Sequence, residues 1–265
     1  MHNKLISVIL LAFSFIGAYA DGIQFREMTL PEAQSAAELE HKYVFVDCYT
    51  PTCGPCKFMA RHIFPMDSCG TYMNPRFVSV MKDLAAEDNK YIAEKYDVRI
   101  YPTYLILRPN GELYVKMEGG ATKYAGKFLK RVDDALELGS MHDRYTVGER
   151  DIEFLTAYTD ALRRPNPAGA RMIISDYTEG LSADEVMNAD NLQLIKKLGD
   201  IDCDGFKHLM DIRDQLTAKI GKEKVAELFK TIHDTYTTRM NMMRRNPSPE
   251  AIAREETLRA EGFIQ

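Results

Sequence analysis

Residues 43–64 read YVFVDCYTPTCGPCKFMARHIF, and this stretch decides the fold. Tyr43 to Cys48 is a short run of aromatic and β-branched residues, the pattern of a buried strand. Thr50 to Gly54 cannot extend it. From Lys57 to Phe64, apolar Phe58, Met59, Ile63 and Phe64 recur at helical spacing. Cys53-Gly54-Pro55-Cys56 therefore sits where a strand gives way to a helix, with Cys53 at the helix start and Cys56 one turn inside. A first helical turn carries unpaired N–H groups and the positive end of the helix dipole, and both stabilise a thiolate. Pro55 suits that turn, because the N–H it lacks is not needed there.

Asp47 stands six residues before the first cysteine, Cys-Gly-Pro-Cys-Lys follows, and Tyr101-Pro102-Thr103 opens a later strand-like run. Together these resemble the thioredoxin family over about residues 23–138. The resemblance implies an α/β, thioredoxin-like fold, a mixed central sheet flanked by helices, and thiol–disulfide oxidoreductase activity. It implies that Cys53, the outer cysteine, attacks a substrate disulfide and that Cys56 resolves the mixed disulfide. It also implies that Asp47, buried beneath the pair, accepts or relays the proton of Cys56. Burial fits the sequence, since Val44, Val46 and Cys48 alternate with Phe45, Asp47 and Tyr49 and leave both faces largely apolar. Pro102 aligns with the family's cis-proline, whose loop lies against the cysteines. Tyr101 before it would offer backbone to an extended substrate segment. Gly54, Pro55 and Gly119 complete the expected substrate-binding surface, with Gly120 as the alternative to Gly119. Thr52 stands where most of the family has tryptophan, a residue absent from the chain, which bears on substrate preference. Gly-Pro between the cysteines resembles reducing members, so a reductase is expected. The alternatives are a dimeric disulfide isomerase, or a binding module in which a helical domain holds a partner. The implied partners are protein disulfide substrates and an upstream thiol–disulfide electron-transfer protein, with a homodimer open and no cofactor.

The whole chain has 265 residues, enough for one large domain or two ordinary ones. A formal charge of −5 gives no basic footprint for nucleic acid. Residues 1–20 read as a signal peptide: Lys4, apolar Leu5 to Ala18, and Ala18-Tyr19-Ala20 as the cleavage site. The apolar run is shorter than the roughly 20 residues of a spanning helix. Export to a periplasm or outside the cell is expected, with no membrane attachment after cleavage. Of the five cysteines, Cys48 reads as a small buried hydrophobe, while Cys69 and Cys203 fall in expected loops and could be exposed. Zinc is the rival use of C-x-x-C, but neither a second such pair nor a nearby His-x₃₋₅-His exists, so no metal is expected at the pair. Asp200-Ile201-Asp202-Cys203-Asp204-Gly205, with Asp211 at the twelfth position, resembles the start of a calcium loop. The simpler reading is a turn whose Asp202 or Asp204 caps the next helix.

Within residues 21–140, Ile23–Met28 is expected as a strand, and Thr29-Leu30-Pro31-Glu32 as a capping box opening a helix through Leu39. Pro65 to Pro75 reads as a linker broken by Pro65, Gly70, Asn74 and Pro75. Strands are expected at Phe77–Met81, Thr103–Leu107 and Glu112–Met117, the last two joined through Asn110-Gly111, and helices at Asp88–Tyr96 and Thr122–Leu138. Residues 141–265 carry no strand pattern and read as an all-helical domain. Its expected helices are Glu149–Arg164, Ala168–Tyr177, one after Ser182, Asn191–Leu198, Phe206–Ile220 and Glu223–Met243, followed by a charged, loosely held tail from Asn246.

Overall fold

The structure, a computed structural model, describes residues 22–120 and 122–264. The expected signal peptide lies outside the described residues. The chain divides into two compact units after Gly139, within the long helix Ala125–Thr146.

In the first unit, α1 (Leu30–Glu40) begins with the expected capping box: Thr29 and Glu32 satisfy each other's backbone N–H groups, and Pro31 stands in the first turn. Then come β1 (Tyr43–Tyr49), α2 (Gly54–His62), α3 (Asp67–Met73), β2 (Phe77–Asp83), a 3₁₀ turn at Glu87–Asn89, α4 (Lys90–Lys95), β3 (Thr103–Leu107), β4 (Leu113–Glu118) and α5 (Ala125–Thr146). The sheet order is β2-β1-β3-β4, with β1 parallel to β2 and antiparallel to β3. This is the mixed sheet that the resemblance implied. One face packs Phe45, Tyr104 and Ile106 against Met59 of α2 and Phe128 and Val132 of α5. The other packs Val44, Val46, Val78, Val80 and Leu105 against Leu30, Ala33 and Ala37 of α1 and Ile92 of α4. Burial on both faces explains why β1 reads as a nearly continuous apolar run.

Three expectations in this unit are corrected. Ile23–Met28 is not a strand: it makes one bridge, Phe25 with Ser79. Arg26 N–H donates to the Ser79 carbonyl at 2.9 Å, but the donors before it go elsewhere, Ile23 to the Phe64 carbonyl at 2.8 Å and Gln24 to Asn74 Oδ1 at 2.9 Å, so no ladder forms. Residues 65–75 are not a plain linker, because α3 fills most of them. Gly70, read as a breaker, is a packing point: a Cβ there would lie 2.1 Å from the Gly22 carbonyl oxygen. Cys69 is consequently buried on the inner side of α3 and not exposed.

The second unit is helical throughout its described residues: α6 (Ile152–Leu162), α7 (Pro167–Glu179), α8 (Ala183–Val186), α9 (Ala189–Lys196), α10 (Asp204–Asp211), α11 (Arg213–Ile220), α12 (Lys222–Met243) and α13 (Pro249–Ala260). The helix expected at Phe206–Ile220 is two, parted at Ile212, beyond which Arg213 turns back to the Met210 carbonyl and pairs with Glu261. The tail is not loose. Ser248 caps α13, Pro249 takes its first turn, and Ala251, Leu258, Phe263 and Ile264 are buried. The calcium-like segment forms no twelve-residue loop, because its second half is α10. Asp200 pairs with Arg239 at 2.8 Å and Asp202 accepts from Ser248 at 2.7 Å. Neither Asp202 nor Asp204 caps α10, whose N-cap is Cys203 without a side-chain capping bond. No cluster of three or more His, Cys, Asp or Glu fit for a metal ion occurs among the described residues, and no described helix is long and apolar enough to cross a membrane.

Candidate active site

The chain leaves β1 at Tyr49, turns through exposed Pro51 and Thr52, and enters α2 with Cys53 as its N-cap. Cys53 and Cys56 are joined by a disulfide, their Cα atoms 5.3 Å apart. The Cys56 N–H points to Cys53 Sγ at 3.1 Å. A donor at the mouth of a helix is what an anionic sulfur at Cys53 requires once the bond opens. Cys53 is half-buried, while Cys56 is buried at 3% exposure. Gly54 and Pro55 are exposed, and a Cβ built on Gly54 meets nothing, so the surface beside Cys53 is open.

Asp47 is in the middle of β1, between Met81 of β2 and Tyr104 of β3. It is 1% exposed, and neither carboxylate oxygen has a hydrogen-bond partner. Desolvation in this layer pushes its pKa up to about 7. The carboxyl can therefore take up or release a proton near neutrality, which an ordinary aspartate does not.

The Tyr101–Pro102 peptide is cis, as the resemblance implied. Thr103 pairs with Cys48, so the register puts Pro102 beside Tyr49, at the end of β1 from which the cysteine loop departs. Pro102 is buried and Tyr101 half-buried. The Pro102 carbonyl accepts from the Gly119 N–H at 2.7 Å, which ties the loop after β4 to the proline loop. Gly119 has φ +60° and its Cβ position is open, whereas a Cβ on Gly120 would strike the Arg131 guanidinium. Of the two glycines, Gly119 is thus the one with space in front of it.

Sequence reasoning passed over two residues here. Arg131 of α5 donates to the carbonyls of Glu118, Gly119 and Gly120 and pins the loop. Tyr104 ends within the same layer as Asp47, its hydroxyl buried and unpaired. The available signal was its place two residues after Pro102, on the face that register gives to Asp47.

With the geometry in place, the family profile described as Thioredoxin matches residues 27–131. The chain is 28% identical over 159 residues to a protein disulfide-isomerase of Datisca glomerata, covering 54% of this chain and 31% of that protein. It is 31% identical over 117 residues to one of Hordeum vulgare, covering 39% and 23%. The chain thus spans between 23% and 31% of the length of these two curated relatives. A solution structure of a candidate disulphide-isomerase from Bacteroides thetaiotaomicron is 38% identical, with TM-score 0.40, over 46% of this chain and 97% of that one.

Proposed function

The chain belongs to the thioredoxin family through its residues 27–131, and from that premise we infer that it exchanges protein disulfides through Cys53 and Cys56. The observation that carries this reading is the oxidised pair at the start of α2, on the loop that leaves the strand holding the buried, partnerless Asp47.

In the reducing direction, the Cys53 thiolate attacks one sulfur of a substrate disulfide. A Cys53–substrate bond forms, the substrate bond breaks, and one substrate thiolate leaves. Cys56 then attacks Cys53 Sγ, gives its proton to ionised Asp47, and releases the second substrate thiolate. The substrate gains two electrons, and the chain ends in the disulfide state described above. The substrate backbone would lie along Tyr101–Pro102, with Gly119 and Gly54 allowing close approach. Return to the dithiol needs a thiol donor upstream, a second protein partner. The Gly54-Pro55 dipeptide favours reduction. The names of the plant relatives favour isomerisation as a second reading, in which the dithiol is maintained and a dimer is expected. Export rests on the signal-like residues 1–20.

The test is reduction of a model protein disulfide by the chain beside Cys53→Ser and Cys56→Ser. Cys56→Ser should accumulate mixed disulfides through Cys53, because the resolving thiol is gone. Equal activity in all three proteins removes the enzyme reading. Mass by gel filtration separates a monomeric reductase from a dimeric isomerase.

A further inference from the structure

Tyr104 faces Asp47 across the antiparallel pairing of β1 and β3, so both side chains leave the sheet toward α2 and α5. Both are withdrawn from solvent, at 0% and 1% exposure. The Tyr104 ring is fixed by a stack on Phe45, centroids 5.7 Å apart, and by edge contacts with Phe64 and Phe128. Its polar tip is another matter. The phenol oxygen has no hydrogen-bond partner, and neither has either oxygen of Asp47. Burying a polar group unpaired is costly, and buried groups of native proteins nearly always find a partner. Phenylalanine would make the same ring contacts without that cost. The hydroxyl therefore calls for a reason, and an unpaired carboxylate in the same layer supplies one. Burial first, and then the charge of Asp47, push the Tyr104 pKa up, so the phenol keeps its proton and is available as a donor.

We propose that the Tyr104 hydroxyl is the hydrogen-bond donor for ionised Asp47, directly or across one buried water, and so sets the proton affinity of that carboxyl. Tyr104 is then a positioning residue that acts through Asp47 and never touches substrate. Its role in turnover rests on the disulfide-exchange reading; the hydrogen bond itself does not. In the resolving step the proton of Cys56 passes to Asp47 as the Cys53–Cys56 bond forms and the Cys53–substrate bond breaks. Asp47 must be ionised at that moment, and burial opposes ionisation. A donor at its tip offsets part of that opposition. Among the other titratable or charged groups on the elements around Asp47 are Cys53 at the N-cap of α2, Cys56, Lys57, Arg61 and His62 of α2, Tyr43, Cys48 and Tyr49 of β1, Lys82 and Asp83 of β2, and Lys127, Lys130 and Arg131 of α5. Lys82 donates to the Met28 carbonyl and Arg131 to the Glu118–Gly120 loop, so neither cation pairs with Asp47.

The experiment is a ¹³C NMR titration of the Asp47 carboxyl in the oxidised full chain, beside Tyr104→Phe. Loss of the donor should raise the Asp47 midpoint by roughly one pH unit, the size of one hydrogen bond to an ionised group. A midpoint that stays or falls overturns the proposal. In turnover started from the dithiol, Y104F should move the pH profile of the resolving step to higher pH by a similar amount and change nothing in a D47N background. A rate loss that persists with D47N would make Tyr104 merely structural. If the parent chain exchanges no disulfides at all, the function reading fails alone, and the titration still decides the hydrogen bond.

Discussion

Above its shifted titration point, Asp47 carries a charge into a layer of aromatic rings, and the folded state bears the cost. Its folded pKa is about 7 against an ordinary 3.8, so between those values the folded chain holds a proton that the unfolded chain has lost. Stability therefore falls as pH rises from about 4 to about 7 and is level above, a total of about 4 kcal/mol at one pKa unit per 1.36 kcal/mol. Asp47→Asn should remove this slope. Urea unfolding of the oxidised proteins should find the variant more stable at pH 8 by about 1–4 kcal/mol and nearly equal to the parent at pH 4. A difference independent of pH would show that Asp47 is not the group that titrates. Gly119 makes a second residue-scale case. An alanine there meets no protein atom, but φ +60° costs an L-residue roughly 1–2 kcal/mol. Gly119→Ala should slow exchange with a protein disulfide more than with a small aromatic disulfide, since only the former needs room along the backbone. Equal slowing would take Gly119 off the substrate surface. At this scale the sequence was informative where local pattern suffices. The alternation in residues 43–49 exposes Asp47 as a buried acid. Tyr104 stayed hidden, because strand register is not written in either strand alone.

Among elements, those with local stop and start signals were legible. Thr29 with Glu32 and Ser182 with Glu185 cap α1 and α8 reciprocally, as their spacing implies. α3 was not legible, because Gly70 is there for a tertiary reason: the backbone of Gly22 passes where its side chain would be. This yields a test against helix propensity. Alanine is favoured over glycine inside a helix by about 1 kcal/mol, yet Gly70→Ala should lower the unfolding temperature, because the clash is with backbone. A rise in melting temperature would mean that α3 shifts freely. α13 was misread for a different reason. Its charge density suggested a solvated tail, although Ser248-Pro249-Glu250 carries an N-cap and a first-turn proline. Deleting Phe263 and Ile264 should destabilise the second unit, since Phe263 sets its ring against Phe229 at 5.4 Å. Loss of amide protection in α12 on truncation would register it, and unchanged protection would mark the terminus as dispensable.

For the whole molecule, the change from alternating strands and helices to helices alone is visible in composition and periodicity, and the chain divides into two compact units after Gly139. The redox bond belongs wholly to the first unit. Its reduction should loosen amide protection in α2 and the ends of β1 and β3 while α6, α7, α10 and α12 keep theirs, read by hydrogen exchange. Spread of the change into those helices would mean that the pair governs both units. Of the three remaining thiols, two are enclosed by the interior and Cys203 is half-buried. Cys48 and Cys69 are fully enclosed, with burial pushing Cys69 up to about 11, and Cys203 donates its S–H to the Asp200 carbonyl at 3.2 Å. An oxidant meeting the finished protein thus finds the Cys53–Cys56 pair and the half-buried Cys203, with Cys48 and Cys69 out of reach. The hazard lies earlier, in biogenesis: an unfinished chain offers five thiols to the same oxidant, and only collapse of the core retires Cys48 and Cys69 from the contest.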